Sequence, residues 1–221
     1  MLVVAAHPDD EVLGCGGTLA RHVAEGDAVH VLFMADGVGS RLGNSETATD
    51  VAPRNHCKAN ALKILGVSSN HSFDFPDNQM DSVALLDIVK PLENVIQSIK
   101  PCTIYTHHGG DLNVDHRTTH QAVLTACRPQ PGHSVKEILT FEVMSSTEWA
   151  DPGQRPFCPN VFVDISAHWR TKFEALGAYA GEMRNPPHSR SIEHLEILAK
   201  HRGACVGVDK AEGFVMVRRI W

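Results

Sequence analysis

The first residues in this chain whose types and spacing could do chemistry are His7, Asp9, Asp10 and Glu11. They follow the apolar run at residues 2–6, which is typical of a buried strand, and a helical pattern begins directly after them. Imidazole and carboxylate are the usual nitrogen and oxygen ligands of a catalytic divalent metal. Ligands of open α/β sheets also bind where strands end. We therefore interpret this segment as half of a metal site.

The second half follows another strand pattern, at residues 103–106. That run ends in the polar segment 107–117, and a helical pattern comes next. Two strand ends in one parallel sheet can bring His7, Asp10 and His116 around a single ion. Two imidazoles and one carboxylate leave an open position for water, as catalytic zinc sites do. Asp115 could orient a ligand or hold a loop.

Three segments carry a resemblance to a known family: HPDDE at 7–11, LGCGG at 13–17 and DH at 115–116. Together they resemble the zinc-dependent de-N-acetylases of the PIG-L or LmbE-like family. That family deacetylates precursors of glycosylphosphatidylinositol, mycothiol and bacillithiol, and also chitobiose. The resemblance extends over nearly the whole chain, as far as AEGF at 211–214. It implies a hydrolase that releases acetate from an N-acetylated amino sugar, with one Zn²⁺ per chain or another divalent metal in its place.

The resemblance also implies roles for individual residues. His7, Asp10 and His116 correspond to metal ligands, and Asp9 corresponds to the general base. Many relatives have a histidine, thought to stabilise the oxyanion, where this chain has Asn113. An amide N–H can donate to an oxyanion, although it cannot titrate. The alternative is that Asn113 only supports His116.

The three acids have a structural alternative, because Pro-Asp-Asp-Glu is also a good helix start. On that interpretation Asp9 and Asp10 would cap the helix without ligating or reacting. The second motif, at another strand end, favours the metal site. Glu11 is expected to be structural, holding a loop or the start of the helix.

Several further residues are predicted to contact substrate or to assist with protons. By the resemblance, an arginine at position 54 reaches a sugar hydroxyl or phosphate, and the aspartate of a Pro-Asp turn grips sugar hydroxyls. His107, His108 and His188 could donate a proton, and Arg190 in the loop 186–191 could bind phosphate. The ordinary alternatives are a surface salt bridge, a turn aspartate, loop histidines and a helix cap. The residues are Arg54, Asp77, His107, His108, His188 and Arg190.

The composition restricts the class of protein. At 221 residues, a single domain over residues 1–221 is expected. The formal net charge is −6 and no basic run exceeds a pair, which argues against a nucleic-acid binder. The chain shows neither a long apolar stretch nor a signal-peptide pattern. We therefore expect a cytoplasmic protein without a membrane segment that acts on a small N-acetylated sugar and could form a homo-oligomer.

Strand and helix patterns alternate along the chain, which predicts an α/β fold with a mostly parallel sheet and helices on both faces. This is a Rossmann-like three-layer sandwich. Loops 37–49 and 151–160 are expected to move. Strands are predicted at 2–6, 29–34, 72–75, 103–106, 138–143, 161–165 and 213–218. Helices are predicted at 12–25, 54–65, 81–98, 117–126, 168–180 and 192–204.

Other interpretations of the motifs are weaker. The glycines at 14, 16 and 17 suggest a dinucleotide-binding turn, but they lie inside the helical pattern, so close packing of helix on sheet explains them better. A phosphoesterase-like metallohydrolase would normally need two metals and more carboxylates. A catalytically inactive sugar- or nucleotide-binding protein would not need Asp9.

Overall fold

The computed structural model of the protein describes the backbone of residues 1–37 and 48–221. It describes the side chains of residues 1–37 and 54–221. Most of the predicted mobile loop 37–49 therefore lies outside the described residues. The strands are β1 Leu2–Ala5, β2 His30–Ala35, β3 Ser69–Phe75, β4 Thr103–His107, β5 Glu137–Phe141, β6 Val161–Asp164 and β7 Ala211–Arg219. The helices are α1 Asp10–Ala24, α2 Ala48–Leu65, α3 Leu85–Ile99, α4 Val114–Ala126, α5 Trp169–Ala178 and α6 Ile192–Ala204.

These strands form one sheet in the order β3-β2-β1-β4-β5-β7-β6. Strands β1 to β5 pair in parallel, and β7 runs antiparallel between β5 and β6. The chain builds outward from β1 to β3 and then returns to place β4 on the other side of β1. Such a reversal opens a crevice at the carboxyl ends of the two central strands, where α/β proteins bind their ligands.

Helices cover both faces of the sheet, as predicted. Side chains of β1 alternate between the two layers, with Leu2 and Val4 in one core and Val3 and Ala5 in the other. The first core contains residues of α3 and α4, and the second contains residues of α1, α2, α5 and α6. Because β1 is buried on both faces, its residues form the continuous apolar run seen in the sequence.

The glycines of α1 are explained by close packing. A Cβ at Gly14 would lie 2.3 Å from the Phe141 ring, and one at Gly17 would lie 2.8 Å from Ile165. The helix is also broken at Cys15, where φ is −146°. Glu212 of β7 accepts hydrogen bonds from the N–H groups of Gly17 and Thr18, at 3.0 and 2.7 Å. Its carboxylate therefore caps the second half of α1.

Some predicted boundaries were wrong. The helix predicted at 81–98 begins at Leu85, because Met80–Ser82 forms a separate 3-10 turn. The strand predicted at 72–75 begins at Ser69, where it pairs with His30 of β2. This edge strand exposes most of its side chains, so its sequence carries little apolar pattern. Within the described residues, no helix is long and apolar enough to cross a membrane.

Loop 151–160 is tied to the strand end after β4. The backbone oxygen of Arg155 lies 2.8 Å from Nε2 of His108. That oxygen also lies only 2.2 Å from where a Cβ at Gly110 would be, so only glycine fits beneath it. The rings of His108 and Phe157 meet edge to face, with 5.3 Å between centroids. These contacts hold the loop against the strand end, and its mobility stays a prediction.

Candidate active site

The predicted metal ligands come together at the reversal point of the sheet. His7 lies just beyond β1, Asp10 begins α1, and His116 lies in the first turn of α4. The three residues are almost completely buried, at 7%, 1% and 1% exposure. The structure therefore brings together residues that lie more than 100 positions apart in the sequence.

The geometry of these three residues fits a divalent cation. Oδ2 of Asp10 lies 3.4 Å from Nδ1 of His7 and 3.3 Å from Nε2 of His116. One ligand atom from each residue lies within 4.8 Å of the other two. Oδ1 of Asp10 is buried and has no hydrogen-bond partner among the described residues. A buried carboxylate oxygen without a partner is costly unless a cation lies beside it.

The opposite nitrogens of both imidazoles face carboxylates. Nε2 of His7 lies 2.9 Å from Asp77 and 3.0 Å from Asp115, and Nδ1 of His116 lies 3.1 Å from Asp111. Acceptors of this kind fix the tautomer and the ring orientation of metal-binding histidines. Asp115 makes such a hydrogen bond with Nε2 of His7, whereas Nδ1 of His116 lies near Asp111 without forming one. This arrangement leaves Nδ1 of His7 and Nε2 of His116 to face the metal position.

Asp115 serves both purposes considered from the sequence. Besides facing His7, it accepts hydrogen bonds from the backbone N–H groups of Asn78, at 2.6 Å, and Met80, at 3.0 Å. One buried carboxylate thus orients a candidate ligand and holds the 3-10 turn that precedes α3. This contact explains why the predicted helix begins late.

Asp111 is a site residue that the sequence interpretation missed. Its carboxylate faces His116 and accepts hydrogen bonds from Ser146 and Thr147, which follow β5. Burial opposes its ionisation, but these partners lower the pKa of Asp111 to about 2. The only signal was an acid within the polar segment that precedes His116, and the partners after β5 could not be inferred from it.

Charges in this cluster balance one another. Burial disfavours the protonated form of His116, but the carboxylates of Asp10 and Asp111 raise its pKa to about 9. Burial alone would raise the pKa of Asp10, but the imidazole of His116 holds it well below its ordinary range. Without a metal the cluster thus holds protons, for which a bound cation would substitute.

Asp9 does not cap α1 with its side chain. Its carboxylate accepts no hydrogen bond from the N–H groups of the helix, and its backbone is left-handed, with φ of 111°. Its Oδ2 instead lies 3.0 Å from Nη1 of Arg190. Burial raises the pKa of Asp9, and the guanidinium of Arg190 limits that rise. The residue is therefore a buried carboxylate beside the candidate ligands and not one of them.

Glu11 holds the unusual backbone of Asp9. Its Oε2 accepts a hydrogen bond from the Asp9 N–H at 2.9 Å, and its Oε1 accepts one from the Tyr179 hydroxyl at 2.8 Å. Burial raises the pKa of Glu11 to about 8, and the hydrogen bond from Tyr179 opposes that rise. This placement agrees with the structural role expected for Glu11.

A polar cavity of about 240 Å³ opens beside the ligands. Asp9, Arg54 and Asp77 line it, together with Asn113 and Arg190. Nη1 of Arg54 lies 3.5 Å from Glu182, which also lines the cavity and was not predicted. A larger cavity, of about 610 Å³, lies at the C-terminal ends of α3 and α4 and shares no residue with this one.

Both the oxygen and the nitrogen of the Asn113 side-chain amide form hydrogen bonds within the protein. Its Oδ1 accepts hydrogen bonds from the N–H groups of Asp115 and His116, at 2.8 and 3.3 Å, and so caps α4. Its Nδ2 donates to Asn78 at 2.9 Å. Asn113 does line the cavity, but its hydrogen bonds support the interpretation that it positions His116.

Two predicted substrate residues do not lie on the cavity wall. His107 has no exposed surface, and its Nε2 accepts a hydrogen bond from the Ala6 N–H at 2.8 Å. Its position behind the ligands therefore corrects the prediction of substrate contact. His188 accepts a hydrogen bond from the N–H of Arg190, at 3.0 Å, and its ring meets that of Trp149. These contacts hold the loop that carries Arg190.

Comparisons with known proteins identify the family of this chain. The PIG-L family, described as GlcNAc-PI de-N-acetylase, matches residues 2–127. An uncharacterized deacetylase, YaiS of Escherichia coli, is 33% identical to this chain. The match covers 80% of this chain and 88% of the length of YaiS. A 4-oxalmesaconate hydratase of Pseudomonas putida is 29% identical, and the match covers 82% of this chain and 73% of the length of the hydratase.

A solved structure is similar over almost the whole fold. The N,N'-diacetylchitobiose deacetylase of Pyrococcus horikoshii superposes with a TM-score of 0.79 at 20% identity, covering 98% of this chain and 83% of that one. The family match spans more than half of the chain and includes all three candidate ligands. The protein belongs to the PIG-L family.

Proposed function

We propose that this protein is a zinc-dependent hydrolase that removes the acetyl group from an N-acetylated amino sugar or sugar conjugate. The observation that carries the proposal is the convergence of His7, Asp10 and His116 on one point, with the buried carboxylate of Asp9 beside it. Family membership and the deacetylase from E. coli support the same reaction class.

The residues divide the work of amide hydrolysis. Zinc held by the three ligands would lower the pKa of a water molecule and polarise the acetamide carbonyl. Asp9 takes a proton from the attacking water and then passes it to the departing amine. Burial favours this role, because it raises the pKa of Asp9 and makes the protonated form accessible. The products are acetate and a sugar with a free amine.

The cavity supplies the substrate contacts of this proposal. Arg54, Asp77 and Arg190 lie on its wall, where they can meet sugar hydroxyls or an anionic group. Asp77 and Arg190 already contact His7 and Asp9, so substrate binding and the reacting centre share side chains. The cavity is small enough to hold about one sugar ring while the rest of a conjugate stays outside.

Acetate release from a panel of N-acetyl sugars tests the proposal. The panel contains N-acetylglucosamine, its malate and inositol glycosides, and diacetylchitobiose, each incubated with zinc-loaded protein. We expect stoichiometric acetate and free amine from at least one member, and release from the matched control Asp9→Asn that is slower by about 10²–10⁴-fold.

The other outcomes point elsewhere. Hydration of 4-oxalmesaconate without acetate release would place the chain with the hydratase of P. putida, which is 29% identical. Hydrolysis of a phosphate ester with two metals per chain would favour a phosphoesterase. Sugar binding without any turnover would indicate an inactive binding protein.

Asn113 provides a test of how the site is held. Asn113→Ala removes the cap of α4, so we expect roughly 1 kcal/mol less stability and weaker zinc affinity, with kcat restored by added zinc. Asn113→Asp keeps the accepting oxygen and loses the amide donor, so it should resemble the parent. If both variants instead lose about 10²-fold in kcat at saturating zinc, Asn113 donates to the oxyanion.

A further inference from the structure

His107 ends β4 next to the candidate ligands, and its whole side chain is buried. Its ring stacks on that of His116, with centroids 3.9 Å apart and planes inclined by 20°. Its Nε2 lies 3.4 Å from Oδ2 of Asp10. On another side, its ring meets Phe141 at 4.8 Å. One imidazole therefore contacts two of the three ligands and the core behind them.

Nε2 of His107 also holds the backbone from which the third ligand emerges. It accepts the N–H of Ala6 at 2.8 Å, and Ala6 directly precedes His7. Pairing between β1 and β4 ends at Val4 and Thr106, so this side chain continues the connection between the two strands.

The same hydrogen bond excludes His107 as a ligand in this arrangement. A ring nitrogen that accepts an N–H uses its lone pair, so the proton of neutral His107 lies on Nδ1. That Nδ1 has no hydrogen-bond partner among the described residues. A phenylalanine would fill the space without burying an unpaired donor. The accepting nitrogen is therefore what distinguishes histidine here.

We propose that His107 is a positioning residue of the metal site, acting through its stack on His116 and its hydrogen bond to Ala6. The stack fixes the plane of one ligand. The hydrogen bond fixes the strand end that carries another. This inference rests on the metal site of the proposed function, but it concerns metal binding and not the reaction.

Two substitutions separate the two contacts. His107→Gln can keep an acceptor near Ala6 and loses the ring, whereas His107→Phe keeps a ring and loses the acceptor. His30→Gln is the control. His30 begins β2, at the amino-terminal end of the parallel strands and away from the metal site, where it contacts Ser69. Zinc affinity is measured by competition with a chromogenic chelator, in the absence of substrate.

We expect both His107 variants to bind one zinc per chain with an affinity about 10- to 100-fold lower, as when partners of metal ligands are lost. The His30→Gln affinity should not change. At saturating zinc, kcat should stay within a few-fold of the parent value, because His107 does not line the cavity. If no substrate were deacetylated, the proposed function would be overturned. The zinc affinities would still test the role of His107, because they are measured without substrate.

Three results would overturn the positioning role. Zinc affinity within about twofold of the parent in both variants would show that neither contact matters to the metal site. A raised KM with unchanged zinc affinity would return His107 to substrate binding. Complete loss of zinc from folded variants would make it a ligand.

A measurement on the unaltered protein covers the case in which a variant does not fold. Nitrogen-15 NMR of labelled histidine should show His107 protonated on Nδ1, with its Nε2 coupled through the hydrogen bond to the Ala6 amide. A protonated Nε2 would overturn the proposal.

Discussion

Asp9→Asn should lower kcat by about 10²–10⁴-fold and leave the metal in place, because the amide cannot accept a proton from water. Asp9 lies beside the ligands, with its Oδ2 on Arg190, so the substitution removes a base without removing a ligand. Steady-state rates at saturating substrate, with zinc content measured on the same samples, test both parts of this expectation.

The ion pair with Arg190 requires a control, since Asp9→Asn also weakens that pair. Arg190→Gln removes the same charge contact and keeps the carboxylate, so its kcat should fall less than that of Asp9→Asn. If Asp9→Asn lost its zinc, Asp9 would be a ligand. If its rate stayed within a few-fold of the parent rate, the base would have to be another residue.

Removal of the metal should reduce activity to background, and zinc should restore it at one ion per chain. The same loss is expected from His116→Ala, because a buried site with only two protein ligands holds zinc poorly. Metal analysis after dialysis, and an anomalous diffraction peak at the zinc edge between His7, Asp10 and His116, measure this directly.

Asp111→Asn is the matched control for ligand loss. Asp111 faces Nδ1 of His116 and is not one of the proposed ligands, so we expect its substitution to lower zinc affinity by about 10- to 100-fold and to keep the stoichiometry. Full activity of chelator-treated, metal-free protein would contradict the zinc-dependent mechanism. A second ion per chain would contradict the proposed stoichiometry of one zinc.

The meeting of His7, Asp10 and His116 and the general fold could be predicted because their signals are local. A strand that is buried on both faces needs a continuous apolar run, and the polar residues that end such runs mark the carboxyl edge of the sheet. His7 lies in the short segment that joins β1 to α1, Asp10 begins α1, and His116 lies in the first turn of α4, the helix that follows β4. The motifs therefore predicted both the architecture and which residues would meet.

Only the tertiary structure decided what surrounds those residues. The pair between Asp9 and Arg190 joins positions 181 apart, and the partners of Asp111 follow β5. His107 was predicted to face substrate, yet the hydrogen bond from Ala6 turns it into the core. The amino-acid type at a position tells whether its side chain can bind a metal or donate a hydrogen bond, because it fixes the functional group. Which nitrogen faces the metal and which donor is already occupied depend on the packing of distant segments, and no local pattern encodes that packing.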